Sequence, residues 1–143
     1  MRLHIITIGE PKLAYARLGW ETYLQRLQRY HTVRVTHLAD KHANDERVLQ
    51  DTAGKAYKIA LAIEGKQLAS PALAHFLEQR ALEGRELCFL VGGPHGLPAS
   101  IIAQADYRWS LSELTLPHDL AMVVLLEALY RAATISVNHP YHK

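Results

Sequence analysis

From Pro117 to about Val137 the chain reads as one long helix, and its stretch Leu120-Ala121-Met122-Val123-Val124-Leu125-Leu126 is apolar on every side. A helix apolar all round must be covered all round. A membrane is not the expected cover, because this longest apolar run falls far below the roughly 20 residues that a span requires. A single sheet layer covers only one face of such a helix. The second face is therefore expected to meet another subunit, which makes the chain a homodimer. Glu127 and Arg131 follow one turn apart, at the spacing that lets side chains meet on a helix surface.

Upstream, strand-like and helix-like segments alternate. Leu3–Ile8 is a β-branched run closed by Gly9 and Pro11, and from Lys12 to Tyr30 apolar residues recur at helical spacing. Val33–Leu38 alternates as a short strand; Asp40 to Lys55 is polar and predicted helical, with Asn44 as candidate N-cap. Tyr57–Ile63 is a third strand, ending at Glu64-Gly65-Lys66. Ser70-Pro71 predicts an N-cap hydroxyl and a proline at the first helical position of a helix running to about Glu83. Glu86–Val91 is the most apolar strand and is expected at the centre of the sheet. A short helix from Pro98 to about Ala105 and a fifth strand, Tyr107–Leu111, precede the final helix. Five strands separated by helices predict an α/β fold with a mostly parallel sheet, helices on both faces, and a single domain over residues 1–143.

A chain of 143 residues, 49% apolar and 21% charged, can bury a core without staples. The formal charge of +2 creates no sequence-wide field that advertises nucleic acid. Nine histidines add local positive charge near a phosphate-rich partner, because they titrate close to neutrality. RNA binding is permitted by this balance, not implied by it. The lone Cys88 lies inside Leu87-Cys88-Phe89-Leu90-Val91 and reads as a buried structural thiol. The absence of any disulfide suits the cytoplasm, and the N-terminal apolar run is too short for a signal peptide.

Three segments carry chemistry. Gly92-Gly93-Pro94-His95-Gly96 follows the central strand, where glycines let a ligand approach backbone N–H groups. It is neither a dinucleotide fingerprint nor a P-loop, and a plain tight turn explains it equally well. Ser110-Leu111-Ser112-Glu113-Leu114-Thr115-Leu116-Pro117-His118 alternates hydroxyls and leucines in a loop; such leucines are expected to pack on a hidden apolar surface or a ligand ring. The third is the terminus, Asn138-His139-Pro140-Tyr141-His142-Lys143, where solvating residues are the norm. It instead carries two imidazoles and a phenol, which are hydrogen-bonding, stacking and proton-carrying groups. The His139/His142 pair has no third partner in the sequence to complete a metal site, and none is expected.

Together these segments resemble the SPOUT class of methyltransferases and, within it, the ribosomal RNA large-subunit methyltransferase H family. The likeness rests on Gly92-Gly93-Pro94-x-Gly96-Leu97, Trp109-Ser110-Leu111-Ser112-x-Leu114-Thr115-Leu116-Pro117-His118, Glu127-x-Leu129-Tyr130-Arg131-Ala132 and Asn138-His139-Pro140-Tyr141-His142. It extends over essentially the whole chain. The resemblance implies a deep C-terminal trefoil knot, a feature that sequence physics alone disfavours. It also implies a homodimer that binds S-adenosylmethionine and methylates N3 of a pseudouridine in a 23S rRNA hairpin loop on the assembled ribosome.

Carried over position by position, the family's cofactor residues fall on Leu61, Gly92 and the run Leu111, Ser112, Glu113, Leu114, Thr115 and Leu116. Gly92 would let the cofactor reach backbone, and the leucines would enclose adenine. His118, Arg131, His139, Tyr141 and His142 are assigned to the RNA side. A histidine or tyrosine there would accept the N3 proton, Arg131 would bind phosphate or a carbonyl, and Tyr141 would stack on the flipped base. The sequence does not rank these roles. It departs from the family at His95, where an acidic residue is usual, and is shorter between His37 and Tyr57. Two alternatives are a SPOUT enzyme acting on a tRNA base and a non-catalytic RNA-binding module of the ribosome.

Overall fold

The computed structural model describes all 143 residues. Five strands, β1 (Arg2–Ile8), β2 (Thr32–Leu38), β3 (Tyr57–Lys66), β4 (Leu87–Val91) and β5 (Tyr107–Trp109), form one sheet in the order β2-β1-β4-β3-β5. Every pairing is parallel. β4 is central, as its apolarity implies: all its residues are buried. Parallel neighbours need crossovers, and four helices lie in them, α1 (Ala14–Leu27), α2 (Glu46–Ala53), α3 (Ser70–Ala81) and α4 (Ala99–Gln104), while α5 (His118–Ser136) follows the last strand. α1, α3 and α5 cover one face, where Trp20, Leu77 and Leu126 join Phe89 in the larger core. α2 and α4 cover the other, through Leu49 and Ile101 against Leu90.

Several boundaries differ from the sequence reading: β5 ends at Trp109 rather than Leu111, β3 runs on from Ile63 to Lys66, and α1 is shorter than Lys12–Tyr30 at both ends. The segment after β2 is not one helix: a 3-10 turn at Asp40–His42 precedes α2, and Asp45, not Asn44, caps it by accepting the Val48 N–H at 3.1 Å. At α3 the N-cap is Ala69, and Ser70 and Pro71 both lie in the first turn. The proline's ring already fixes the entry geometry, so no hydroxyl cap is needed there.

The end of β5 meets β3 twice. Trp109 is in register with Leu61 and again with Lys66, and the Ser110 N–H donates to the Lys66 carbonyl at 3.0 Å. Residues 62–65 therefore bow out between two points of contact with the same strand end. Gly65 allows this approach: a Cβ there would lie 2.8 Å from backbone atoms of Arg108 and Trp109.

α5 is covered on more sides than a single sheet layer provides. It lies on the sheet between α1 and α3, with Met122, Leu125, Leu126 and Leu129 fully buried. The Gly19 gap on α1 admits Val123, whose methyl would come within 3.0 Å of a Cβ. Leu120, Ala121, Val123 and Val124 stay half-buried.

One buried and two half-buried imidazoles give the fold a pH dependence. Burial, aided by the N-terminal ammonium 3.4 Å away, lowers His31 from 6.5 to about 4; burial is also the main cause lowering His4 and His37. Such groups stay neutral in the fold but take up protons in the unfolded chain. Their contribution is complete above pH 6.5 and is lost as pH falls toward 4. Thermal melting should drop between pH 7 and 5, and His31→Asn should flatten that slope.

Candidate functional site

In open parallel sheets the loops leaving the C-terminal strand ends form the binding crevice. Here three such loops converge. Leu61 at the turn of β3, Gly92 after β4, and Leu111, Ser112, Leu114, Thr115 and Leu116 after β5 line one cavity of about 180 Å³, together with His118. Glu113 is exposed and does not line it. Leu61 and Leu111 also pack on the main core, whereas Leu114 is 74% exposed. A loop leucine held in that position lacks a packing partner within the chain and is available to a ligand ring.

The Leu111–Leu116 loop is held by its own hydroxyls. Ser110 Oγ donates to the Ser112 carbonyl at 3.0 Å, and Ser112 Oγ accepts the Leu114 N–H at 2.9 Å. The other main-chain N–H groups of the loop donate to nothing else in the protein. They are free donors that the ring nitrogens of an adenine edge can accept from. Gly92 has a reason beyond ligand approach: a Cβ would lie 2.4 Å from the Gly96 carbonyl carbon and 2.5 Å from the Leu97 nitrogen. The turn folds back on itself, with Gly96 at φ +81° and Leu97 anchored in the second core. His95, on the outside of this turn, is exposed and does not line the cavity.

His118 is oriented by backbone. Its Nε2 lies 2.8 Å from the Ile8 carbonyl. A carbonyl only accepts, so Nε2 carries the proton and Nδ1 keeps the lone pair when the ring is neutral. The next residue, Asp119, was not visible as a site determinant in the sequence. Its buried carboxylate accepts the Lys12 and Leu13 N–H groups at 2.8 and 2.6 Å. It thereby satisfies the open N-terminus of α1, whose N-cap Leu13 has no side-chain acceptor, and fixes the β1–α1 loop beside His118. Asp119→Ala removes the acceptor from two part-buried N–H groups at the α1 N-terminus. It should cost about 2–3 kcal/mol in chemical denaturation, while Asp119→Asn should cost less.

The remaining RNA-side residues are not beside the cavity in the same chain. Arg131 lies thirteen residues along α5 from His118, about 20 Å at 1.5 Å per residue. The C-terminal segment packs there too. Asn138 takes the left-handed conformation at φ +57°; its N–H donates to Ile135 and that of His139 to Thr134, at 3.1 and 2.8 Å. This is the Schellman arrangement that closes a helix C-terminus, with Asn in the place of the usual glycine. Pro140–His142 then forms a 3-10 turn, capped by His139 Nδ1, which accepts the Tyr141 N–H at 3.1 Å.

Tyr141 is built into a cluster. Its ring packs edge-on against Tyr130 at 4.6 Å, and the Arg131 guanidinium lies 4.8 Å from its centre. One oxygen of Glu127 accepts from Arg131 Nε at 2.9 Å and Nη2 at 2.8 Å, and from the Tyr141 hydroxyl at 3.2 Å. Burial, the Tyr23 hydroxyl at 3.4 Å and the Glu127 charge all raise the phenol's pKa well above its ordinary value. In this position the Tyr141 hydroxyl stays protonated and donates to Glu127. His142 is half-buried and its Nδ1 has no partner. No group of three or more histidine, cysteine or acidic side chains is arranged to hold a metal, and no helix is long and apolar enough to cross a membrane. Cys88 is buried, its thiol pushed up to about 12 mainly by that burial.

Residues 1–142 match the family model described as "Predicted SPOUT methyltransferase". The chain is 55% identical to the ribosomal RNA large subunit methyltransferase H of Deinococcus radiodurans, over 100% of this chain and 99% of that protein. It is 38% identical to the protein of that name from Streptococcus agalactiae serotype III, over the whole of both chains. Among solved structures, a probable methylase family protein from Haemophilus influenzae superposes with a TM-score of 0.55 at 11% identity, over 95% of this chain and 66% of the other. This chain thus spans about two thirds of that structure's length, and the likeness is one of fold. A parallel sheet with its cavity at the three C-terminal loops, matched over its full length by these relatives, places the chain in the SPOUT methyltransferase family.

Proposed function

We propose that this protein is a cytoplasmic homodimer that transfers a methyl group from S-adenosylmethionine to N3 of a pseudouridine in 23S rRNA on the assembled ribosome. The observation that carries the reading is the convergence of Leu61, Gly92 and the Leu111–Leu116 loop, distant in sequence, on one cavity beside His118. The cavity fits the cofactor chemically. Leucines enclose a ring, unpaired loop amides read its edge, and no side chain at Gly92 or Gly93 obstructs the strand end.

S-adenosylmethionine supplies an already activated methyl group, so the protein's own work is alignment and removal of one proton. His118 lines the cavity with Nδ1 free and is the proton acceptor in this reading. Tyr141 stacks, and Glu127 aims Arg131. The double contact of β5 with β3 around residues 62–65 supports a threaded, knotted C-terminal half.

The distance of about 20 Å along α5 supports the homodimer: the C-terminal segment serves a cofactor cavity only if a partner subunit, packed with its α5 reversed, supplies it. Leu13, Tyr15 and Leu18, exposed at 56%, 52% and 67% along α1, give such a partner an apolar surface. The test is transfer of labelled methyl to ribosomes with and without the target pseudouridine. Label is expected only in 23S rRNA carrying it. No label in either refutes the reading, and label in tRNA substitutes a tRNA-modifying enzyme of the same family.

A further inference from the structure

The docked C-terminus borders a cation that the reading above leaves unused. Arg26 is in the last turn of α1. Its guanidinium sits 5.5 Å from the centre of the Tyr23 ring and 5.7 Å from that of Tyr130. None of the seven ion pairs in the protein includes it. The one carboxylate of this cluster, Glu127, is occupied by Arg131 and the Tyr141 hydroxyl. Arg131 is thus neutralised in place, and Arg26 leaves an uncompensated positive charge at the foot of the C-terminal segment. Ring contacts orient a guanidinium without consuming its N–H donors. A planar, pre-oriented, half-buried cation with free donors is suited to a phosphate oxygen.

We propose that Arg26 binds a backbone phosphate of the RNA that meets the C-terminal segment, with Tyr23 and Tyr130 holding its guanidinium in place. The inference rests on the proposed function and adds a positioning contact to it. A phosphate contact carries no base information but fixes register, so it brings the target nucleotide to the stacking surface of Tyr141.

The test is the salt dependence of full-length protein binding to unmethylated ribosomes, with methyl transfer measured in parallel. Arg26→Gln should reduce the slope of log affinity against log salt by about 0.7–0.9. Near 0.1 M salt this is a roughly 5–8-fold weaker complex by the same relation, with unchanged affinity for S-adenosylmethionine. Arg26→Lys, which keeps the charge, should restore the slope. Arg47→Gln removes one charge on α2, on the opposite face, and should leave it unaltered.

An unchanged slope in Arg26→Gln overturns the inference. So does an equal loss in Arg47→Gln, which signals bulk charge, or dissociation of Arg26→Gln into monomers in light scattering, which signals a subunit contact. If wild-type protein methylates ribosomes while Arg26→Gln keeps the wild-type slope, the proposed function stands without this contact. Wild-type protein that neither binds nor methylates ribosomes overturns both.

Discussion

Gly92→Ala should abolish measurable S-adenosylmethionine binding and lower the unfolding free energy by about 3 kcal/mol, at the upper end of overpacking effects. The added methyl has nowhere to go. Its Cβ would lie 2.4 Å from the Gly96 carbonyl carbon and 2.5 Å from the Leu97 nitrogen, and both are backbone atoms. Relief requires the whole Gly92–Leu97 turn to swing outward, but Leu97 is held in the second core at 7% exposure. Whichever way the strain resolves, the wall of the cofactor cavity moves. Calorimetric titration of the cofactor and thermal melting check the two halves of the expectation. Wild-type cofactor affinity in a folded Gly92→Ala protein would show that this turn does not bound the cofactor.

Deleting Asn138–Lys143 should leave cofactor affinity within about threefold of wild type and reduce methyl transfer by at least about 100-fold, the range associated with losing a catalytic group and its alignment. The segment is about a helix length from the cavity in its own chain, so no cofactor contact goes with it. What goes is the Tyr141 ring on Tyr130, a contact of about 1 kcal/mol, and the Asn138 closure of α5. A drop of a few degrees in melting temperature should follow, without unfolding. Tyr141→Phe separates the roles: it keeps the ring and removes the bond to Glu127. If truncation destroyed cofactor affinity, the segment would belong to the cofactor site of its own subunit and the reversed-partner arrangement would fail.

Much of the architecture was legible because its signals are local. β-Branched runs, glycine stops and helical periodicity report backbone preferences over a few residues, and they located all five strands and five helices. The ends of β3, β5 and α1 were off by two or three residues, and the caps were missed where a local rule had two candidates. Asn44 and Asp45 are both good caps, and only the 3-10 turn upstream puts the Asp45 carboxylate at the α2 N-terminus. Ser70 lost the cap position because Ala69 supplies the extended backbone that precedes the helix. Asp119 carried no local signal at all: its partners are Lys12 and Leu13, more than a hundred residues away.

The sequence by itself determined the composition of the sheet, the central place of Leu87–Val91, and the segments whose residue types suit cofactor and RNA chemistry. Those are properties of side-chain polarity and backbone freedom, which act over one or two turns. Only the tertiary structure decided which of those segments meet. It brings Leu61, Gly92 and Leu111–Leu116 to one cavity, because parallel pairing puts all strand ends of the same sense at the same edge. It also separates His118 from Arg131 and Tyr141, because Arg131 stands thirteen residues further along a rigid helix of 19 residues and Tyr141 docks beside it on Tyr130. The apolar belt that first constrained the chain is mostly covered from within, by sheet, α1 and α3. How completely a helix is covered depends on what lies on either side of it, and that is a long-range property no local pattern encodes.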